Sequence, residues 1–328
     1  MKPTTSLWDR YIARPRKPWV AIAVLLVILA APFLVARLEG AELTLEAWRG
    51  ALIPPAIIAY IVLGAPRLAI MEDRVLQALH PLMDDDPVTL AREEEEAEAK
   101  APTRELLAFS AGVAFYLVFG WRGFIQEFSW TMLVMTLETL VMYGLLGVVI
   151  YGSTDRTRGF GAMLRRNLRV DPLDVAPFDA VGRHSLALAL MFVGGITLSL
   201  LFVWVSPAVL VLLEFWVVYA PLAAMPFVIF FVNMLPTHRL LARARDRDLR
   251  RVVLLIRGAC AGLVTKAEQG QEVAELSQRL LALTAYESRL LQARTWPYDT
   301  AMLRAVFVSI LVPGGTVVGR LILEAINR

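Results

Sequence analysis

One carboxylic acid in the middle of a long apolar stretch is the residue of this chain best placed to do chemistry. Glu138 lies between Leu137 and Thr139 in the apolar sequence 130–151. A charged group at the centre of a bilayer costs about 2.5–3.5 kcal/mol, so this side chain should face protein or water. There it would bind a cation, carry a proton or line a permeation path. The structural alternative is a protonated carboxyl that is hydrogen-bonded between helices.

A second group of residues lies in the last apolar stretch of the chain. Pro313, Gly314 and Gly315 follow one another there, and Ser309 and Thr316 place hydroxyl groups on either side of them. Proline removes a backbone donor and glycine permits bending or close packing, so we expect a kinked helix. The freed carbonyls and the two hydroxyls would line a pore or a ligand cavity. The alternative is tight packing between helices at small residues.

The sequence patterns of enzymes and of metal sites are missing. The chain has no GxSxG, P-loop, HExxH or GxGxxG motif, and its three histidines lie in or beside different loops. Asp171, Asp174 and Asp179 are close in sequence, but aspartates among prolines are typical of turns and helix caps. Cys260 is the only cysteine, which excludes an internal disulfide and a cysteine-based zinc site. We therefore expect no catalytic residues, no metal and no cofactor.

The elements that must position these residues are membrane helices. The chain has 328 residues, of which 57% are hydrophobic and 19% are charged, against about 25% charged in a soluble domain. Its apolar residues stand in runs of roughly 20, enough to cross about 30 Å of hydrocarbon. Seven runs are found, at 19–36, 51–70, 106–121, 130–151, 185–205, 215–235 and 303–323. The expected fold is all-α, a polytopic membrane protein with seven transmembrane helices.

The basic residues indicate how these helices are oriented. With the N-terminus inside and the C-terminus outside, 28 of the 33 Lys and Arg residues lie inside and 5 outside, as the positive-inside rule requires. The expected location is the plasma (inner) membrane. The net charge is +3. Because the arginines are spread over several loops, we expect them to contact anionic lipid head groups and not nucleic acid.

Four regions follow from the runs and the charges. Residues 1–18 form a cytoplasmic N-terminal arm, 19–235 contain six helices, 236–301 form a cytoplasmic helical hairpin, and 302–328 form the seventh helix. The six-helix region includes an acidic inner loop at 84–100 and a basic inner loop at 153–184. In the hairpin, leucines and valines recur every three or four residues, and Gln269-Gly270-Gln271 separates its two helices. Its apolar surface needs a partner in the same chain or in other copies.

This layout resembles the seven-transmembrane ion channel superfamily, which includes insect odorant and gustatory receptors. The resemblance covers the whole chain as topology, with an inner N-terminus, an outer C-terminus and a cytoplasmic helical region before the last helix. It implies a homotetrameric cation channel opened by a ligand or another stimulus, with 239–294 as the anchor and 305–319 lining the pore. The family's Thr-Tyr and Gln-Phe signature is not present. The expected ligand pocket among the first six helices involves Tyr60, Phe119, Trp121 and Trp216.

Two other classes of function remain open. A secondary transporter would use Glu138 for ion or proton coupling and would bind its substrate near the midplane. A non-transporting assembly or signalling subunit would use the cytoplasmic hairpin as its active surface. The excess of arginine over lysine, 29 to 4, is typical of a prokaryotic, GC-rich genome.

Overall fold

The described part of the chain is almost entirely helical. The computed structural model describes residues 6–14, 17–41, 44–83, 87–119, 129–164, 168, 170–203, 213–296, 300–305, 307–309, 311 and 315. The long helices are α1 (Pro18–Glu39), α2 (Leu45–Leu79), α3 (Pro87–Phe119), α4 (Trp130–Met163), α5 (Ala176–Val203), α6 (Leu213–Glu268) and α7 (Ala274–Gln292). Short helical turns cover Asp9–Ala13 and His80–Leu82, and a short apolar helix covers Thr300–Ser309. The expected all-α class is confirmed for this part of the chain.

Five helices are long and apolar enough to cross a membrane. They cover Trp19–Glu39, Ala47–Leu82, Trp130–Asp155, Ala176–Leu200 and Ala224–Glu268, and they overlap the first, second, fourth, fifth and sixth predicted runs. The third run falls in α3, where the described apolar part, 106–119, has 14 residues and a length of about 21 Å. Most of the seventh run lies outside the described residues. The architecture is that of a multi-pass helical membrane protein.

Several helices continue well beyond their apolar runs. The acidic inner segment 84–100 is helical from Pro87 onward, as the first turns of α3, and residues 84–86 lie outside the described part. Helix α6 has 56 residues, which corresponds to about 84 Å. It ends at a turn in which Gly270 has a φ of +67°, a left-handed conformation that favours glycine. Helix α7 then packs back along α6, so the two form a hairpin.

Helices α3 and α4 approach each other closely because glycines on both remove the intervening side chains. A Cβ at Gly112 would overlap the carbonyl group of Tyr143, and a Cβ at Gly147 would overlap the carbonyl oxygen of Ala108. The rings of Tyr116 and Tyr143 stack beside this contact with their centroids 5.1 Å apart. Such small-residue interfaces are the usual way in which membrane helices gain close packing.

The N-terminal segment is held against the bundle by polar contacts. Glu105 of α3 accepts hydrogen bonds from the Ser6 hydroxyl at 2.5 Å and from the backbone amide of Trp8 at 3.1 Å. Arg14 forms an ion pair of 2.6 Å with Asp73 of α2. The Trp8 side chain is buried in a cluster of apolar residues from α2, α4 and α5. This segment is therefore part of the folded bundle.

The close contact of α3 and α4 gives a stability prediction. Gly147→Ala should lower the free energy of unfolding by about 1–3 kcal/mol, because the added methyl group must displace the backbone of α3. Gly152→Ala is the control on the same helix, since a Cβ there meets no atom within 4 Å. Thermal unfolding in one detergent, followed by tryptophan fluorescence, measures the difference. Equal melting temperatures for the two variants would contradict close packing at this interface.

Candidate functional site

The bundle contains a partly open cavity of about 680 Å³. Its walls come from α2, α3, α4, α5 and α6, and no Asp, Glu, Lys or Arg side chain lines it within the described residues. Hydroxyl groups on the wall belong to Tyr60, Tyr116, Thr139, Tyr143 and Ser199, and the remaining lining is apolar or glycine. Cavities of about 300–1,000 Å³ with mostly apolar walls and a few polar groups are typical of small-molecule sites.

Tyr60 lies on α2 and joins two walls of this cavity. Its hydroxyl group lies against α5 at Gly194, where a Cβ would overlap it. A Cβ added to the next residue, Gly195, would lie 3.8 Å from the Tyr60 ring, which is an ordinary contact distance. Gly194 thus provides the space that the tyrosine hydroxyl occupies. Gly195 lines the cavity.

Of the four residues expected to form a ligand pocket, only Tyr60 and Phe119 have described side chains, and Tyr60 is the one of these two that lines the cavity. Phe119 lies at the end of α3 with 67% of its surface exposed, and it packs on Phe115 at 4.9 Å between ring centroids. Phe115, not Phe119, lines the cavity. Trp121 lies outside the described residues, and for Trp216 only the helical backbone is described.

Glu138 is buried, with 7% of its surface exposed. Neither of its carboxyl oxygens has a hydrogen-bond partner among the described residues. It does not line the cavity, but the next residue, Thr139, does. The Thr139 hydroxyl donates to the carbonyl oxygen of Met135 at 2.7 Å. An unpaired buried carboxyl is costly, and such groups inside membrane helices usually mark ion, proton or substrate sites.

The expected pore residues are described only in part. Ser309 is half-buried at the end of the short helix Thr300–Ser309. Gly315 is helical, and a Cβ added to it would meet no atom within 4 Å among the described residues. Pro313, Gly314 and Thr316 lie outside the described residues. The short helix contacts α6 where Phe307 packs on Phe227, with ring centroids 5.6 Å apart.

Two polar groups beyond the predicted apolar runs have structural roles in the described part. Nδ1 of His238 lies 3.1 Å from the carbonyl oxygen of Thr295, and its ring stacks on Trp296 with centroids 3.9 Å apart. This contact joins α6 to the segment after α7. Asp171 accepts a hydrogen bond from the Leu173 amide, and Asp174 accepts one from the amide of Ala176 at the start of α5. Among the described residues, no three His, Cys, Asp or Glu side chains form a group that could hold a metal ion.

The fit of Tyr60 against α5 gives a second prediction. Gly194→Ala should displace the tyrosine ring into the cavity and weaken binding of the apolar dye N-phenyl-1-naphthylamine by about tenfold, or 1.4 kcal/mol. Gly195→Ala adds the same methyl group at an open position of the same helix and should bind like the wild type. Native mass spectrometry of the purified protein measures bound dye separately from dye in micelles. Equal binding by both variants would show that Tyr60 does not shape a site for this dye.

Comparison of the chain with protein-family models, curated proteins and solved structures found no match. The function must therefore be inferred from the structure itself. Three features of its described part bear on function: the cavity, the buried Glu138 and the exposed apolar surface of the hairpin formed by α6 and α7.

Proposed function

We propose that the protein binds a small apolar molecule inside its helical bundle and that this binding opens a cation channel formed by four copies of the chain. The observation that carries the proposal is the cavity of about 680 Å³ with walls from five helices. A molecule that fits this cavity better in one arrangement of the helices shifts the population toward that arrangement. Seven transmembrane helices, an inner N-terminus, an outer C-terminus, a plasma-membrane location and a pore lined by 305–319 are parts of this proposal.

The wall chemistry supports an apolar ligand with few hydrogen-bonding groups. The hydroxyls of Thr139 and Ser199 already donate to carbonyl oxygens of their own helices, at 2.7 and 2.8 Å, and retain only acceptor capacity. Tyr60 and Tyr116 each add a phenolic hydroxyl to the wall, which can donate or accept. With no Asp, Glu, Lys or Arg on the described lining, a charged ligand would lose its hydration without gaining an ion pair.

The hairpin supports assembly of several copies. Leucines remain exposed along both of its helices: Leu254 on α6 is 66% exposed, and Leu281 and Leu291 on α7 are 70% and 61% exposed. These residues lie beyond the apolar run of α6, where water and not lipid is the expected surroundings. Apolar surface of this kind on a water-exposed helix pair indicates a protein partner. Packing of four hairpins about one axis would cover it.

A secondary transporter is the second candidate, and the buried carboxyl of Glu138 favours it. A carboxyl that has no partner among the described residues and lies beside a cavity wall could couple movement of an ion or proton to movement of a substrate. Such a protein would work as a monomer or dimer, so the number of subunits separates the two candidates.

The proposed assembly gives a prediction for the number of subunits and for a substitution that reduces it. The wild-type protein should be a tetramer by light scattering corrected for bound detergent, and Leu281→Glu should lower the count because it places a charge in the covered surface. Gln271→Glu introduces the same side chain at an exposed position in the turn between α6 and α7, away from Leu281, and should leave the tetramer intact. A wild-type monomer would contradict the channel proposal and favour transport through a single bundle.

Filling the cavity with a protein side chain should imitate a bound ligand. Gly195→Phe is expected to raise the cation leak of proteoliposomes, by about tenfold for each 1.4 kcal/mol by which it favours the open arrangement. Gly152→Phe places the same side chain on α4 away from the cavity and serves as the control. The leak is measured with a fluorescent K⁺ or Na⁺ indicator. A folded tetrameric Gly195→Phe variant with the wild-type leak would contradict gating by this cavity.

A further inference from the structure

We propose that Glu138, together with backbone carbonyls released by prolines in α1 and α2, forms a binding site for an alkali cation inside the bundle. This inference rests on the proposed function only in that the bundle crosses a membrane. It does not require that the cavity binds a ligand or that four copies assemble.

The position of Glu138 between α1 and α2 follows from a groove that the three helices share. Ile28 of α1, Ile58 of α2 and Val141 of α4 line this groove together. Helix α4 begins beside Glu39, which is the last residue of α1. The Glu39 carboxylate accepts hydrogen bonds from the amides of Trp130 at 2.5 Å and Thr131 at 3.0 Å. Helix α2 begins a few residues after Glu39, so α2 and α4 run in the same direction and α1 runs against them.

Each of the three helices has a buried residue about one turn from its groove-lining residue, on the side toward Glu39. On α2 this residue is Pro55, three positions before Ile58, and on α4 it is Glu138, three positions before Val141; positions three apart share a helix face. On α1, which runs the other way, it is Pro32, four positions after Ile28. Pro32 and Pro55 are both less than 2% exposed, and Glu138 is 7% exposed. The buried carboxyl thus lies at the level of prolines in both neighbouring helices.

These prolines leave carbonyl oxygens without their helical donors. Proline has no N–H, so Pro32 leaves the carbonyl of Ile28 unpaired within α1, and Pro54 and Pro55 leave those of residues 50 and 51 unpaired within α2. Helical carbonyls point toward the C-terminus of their helix, which directs them toward the level of the prolines. No water is available in hydrocarbon to supply the missing donors.

The chemistry of this group of oxygens favours a monovalent cation. A carboxylate and up to three carbonyl oxygens are all acceptors, and the Thr139 hydroxyl has already donated its proton to Met135. Hard cations prefer such oxygen ligands, and carbonyls of interrupted membrane helices bind Na⁺ in this way. One positive charge cancels that of the carboxylate, whereas a divalent ion would leave a net charge in the bilayer. A proton on Glu138 would satisfy only one of the carbonyls.

The site shares a wall with the cavity. Gly50, Pro54 and Thr139 line the cavity. Gly50 carries the carbonyl that Pro54 leaves unpaired, and Thr139 directly follows Glu138. A cation that holds α2 to α4 would therefore also fix the shape of this wall. Occupancy of the cavity and of the cation site should consequently influence each other.

The test is the thermal stability of the purified full chain in NaCl, KCl or N-methyl-D-glucamine chloride at one ionic strength. The wild-type melting temperature should rise with the concentration of Na⁺ or K⁺ as ligand linkage requires, and not with N-methyl-D-glucamine. Glu138→Gln should remain folded and lose this dependence. Glu275→Gln, at an exposed position of α7, should keep it.

A second pair of variants tests the carbonyl ligands while leaving the carboxylate in place. Pro55→Ala returns an N–H to α2 and should raise the cation concentration needed for half of the effect by about tenfold. Pro66→Ala makes the same change three turns away in the same helix and should not. Wild-type stability that is equal in all three salts would overturn the proposal and identify Glu138 as a protonated structural carboxyl. This readout uses neither flux nor subunit number, so a monomeric protein without flux that is still stabilised by Na⁺ would refute only the proposed function.

Discussion

The interior of a bilayer supplies no hydrogen-bond partners, and the described structure depends on that constraint. Backbone groups that cross it must be paired within their own helix, which is why the apolar runs form long helices. Helix ends need partners as well, and Glu39 provides them for α4: its carboxylate accepts hydrogen bonds from the amides of Trp130 and Thr131 and from the Thr131 hydroxyl. This contact also fixes the end of α1 against the start of α4. The few groups that the helices leave unpaired are consequently the places where a bound species would be stabilised most.

Much of the fold could be predicted from the sequence because the signal is a simple one. An uncharged run such as 19–36 has one stable state in hydrocarbon, and α1 covers it with a margin of a few residues. The continuity of α6 is a different case. Pro236 separates the apolar run from the basic helix and favours a boundary, yet the helix continues through it. Proline removes only one backbone hydrogen bond, and α6 packs against α5 and against α7, so contacts with other helices support its continuation.

The candidate site could be predicted only where a single residue carries the signal. Glu138 is conspicuous in any apolar run, because its cost is independent of its neighbours. The tyrosines of the cavity wall are different, since Tyr116 and Tyr143 meet only because Gly112 and Gly147 bring α3 and α4 together. Those glycines are visible in the sequence, but nothing in the sequence indicates which helices they join. The role of Glu105 as the acceptor for the N-terminal segment depends in the same way on a contact between distant parts of the chain.

The length of α6 connects the cavity to the exposed surface of the hairpin. Met225 lines the cavity, and Leu254 lies on the same helix about 44 Å away at 1.5 Å per residue. A tilt of about 5° at the cavity would move the far end of such a rod by about 4 Å, which is comparable to the width of a side chain. Pro226 and Pro236 lie between the two points, and a bend of the helix would concentrate there because hydrogen bonds are missing. A change in the shape of the cavity can therefore reach the surface that neighbouring copies would share through one continuous helix, without a separate moving domain.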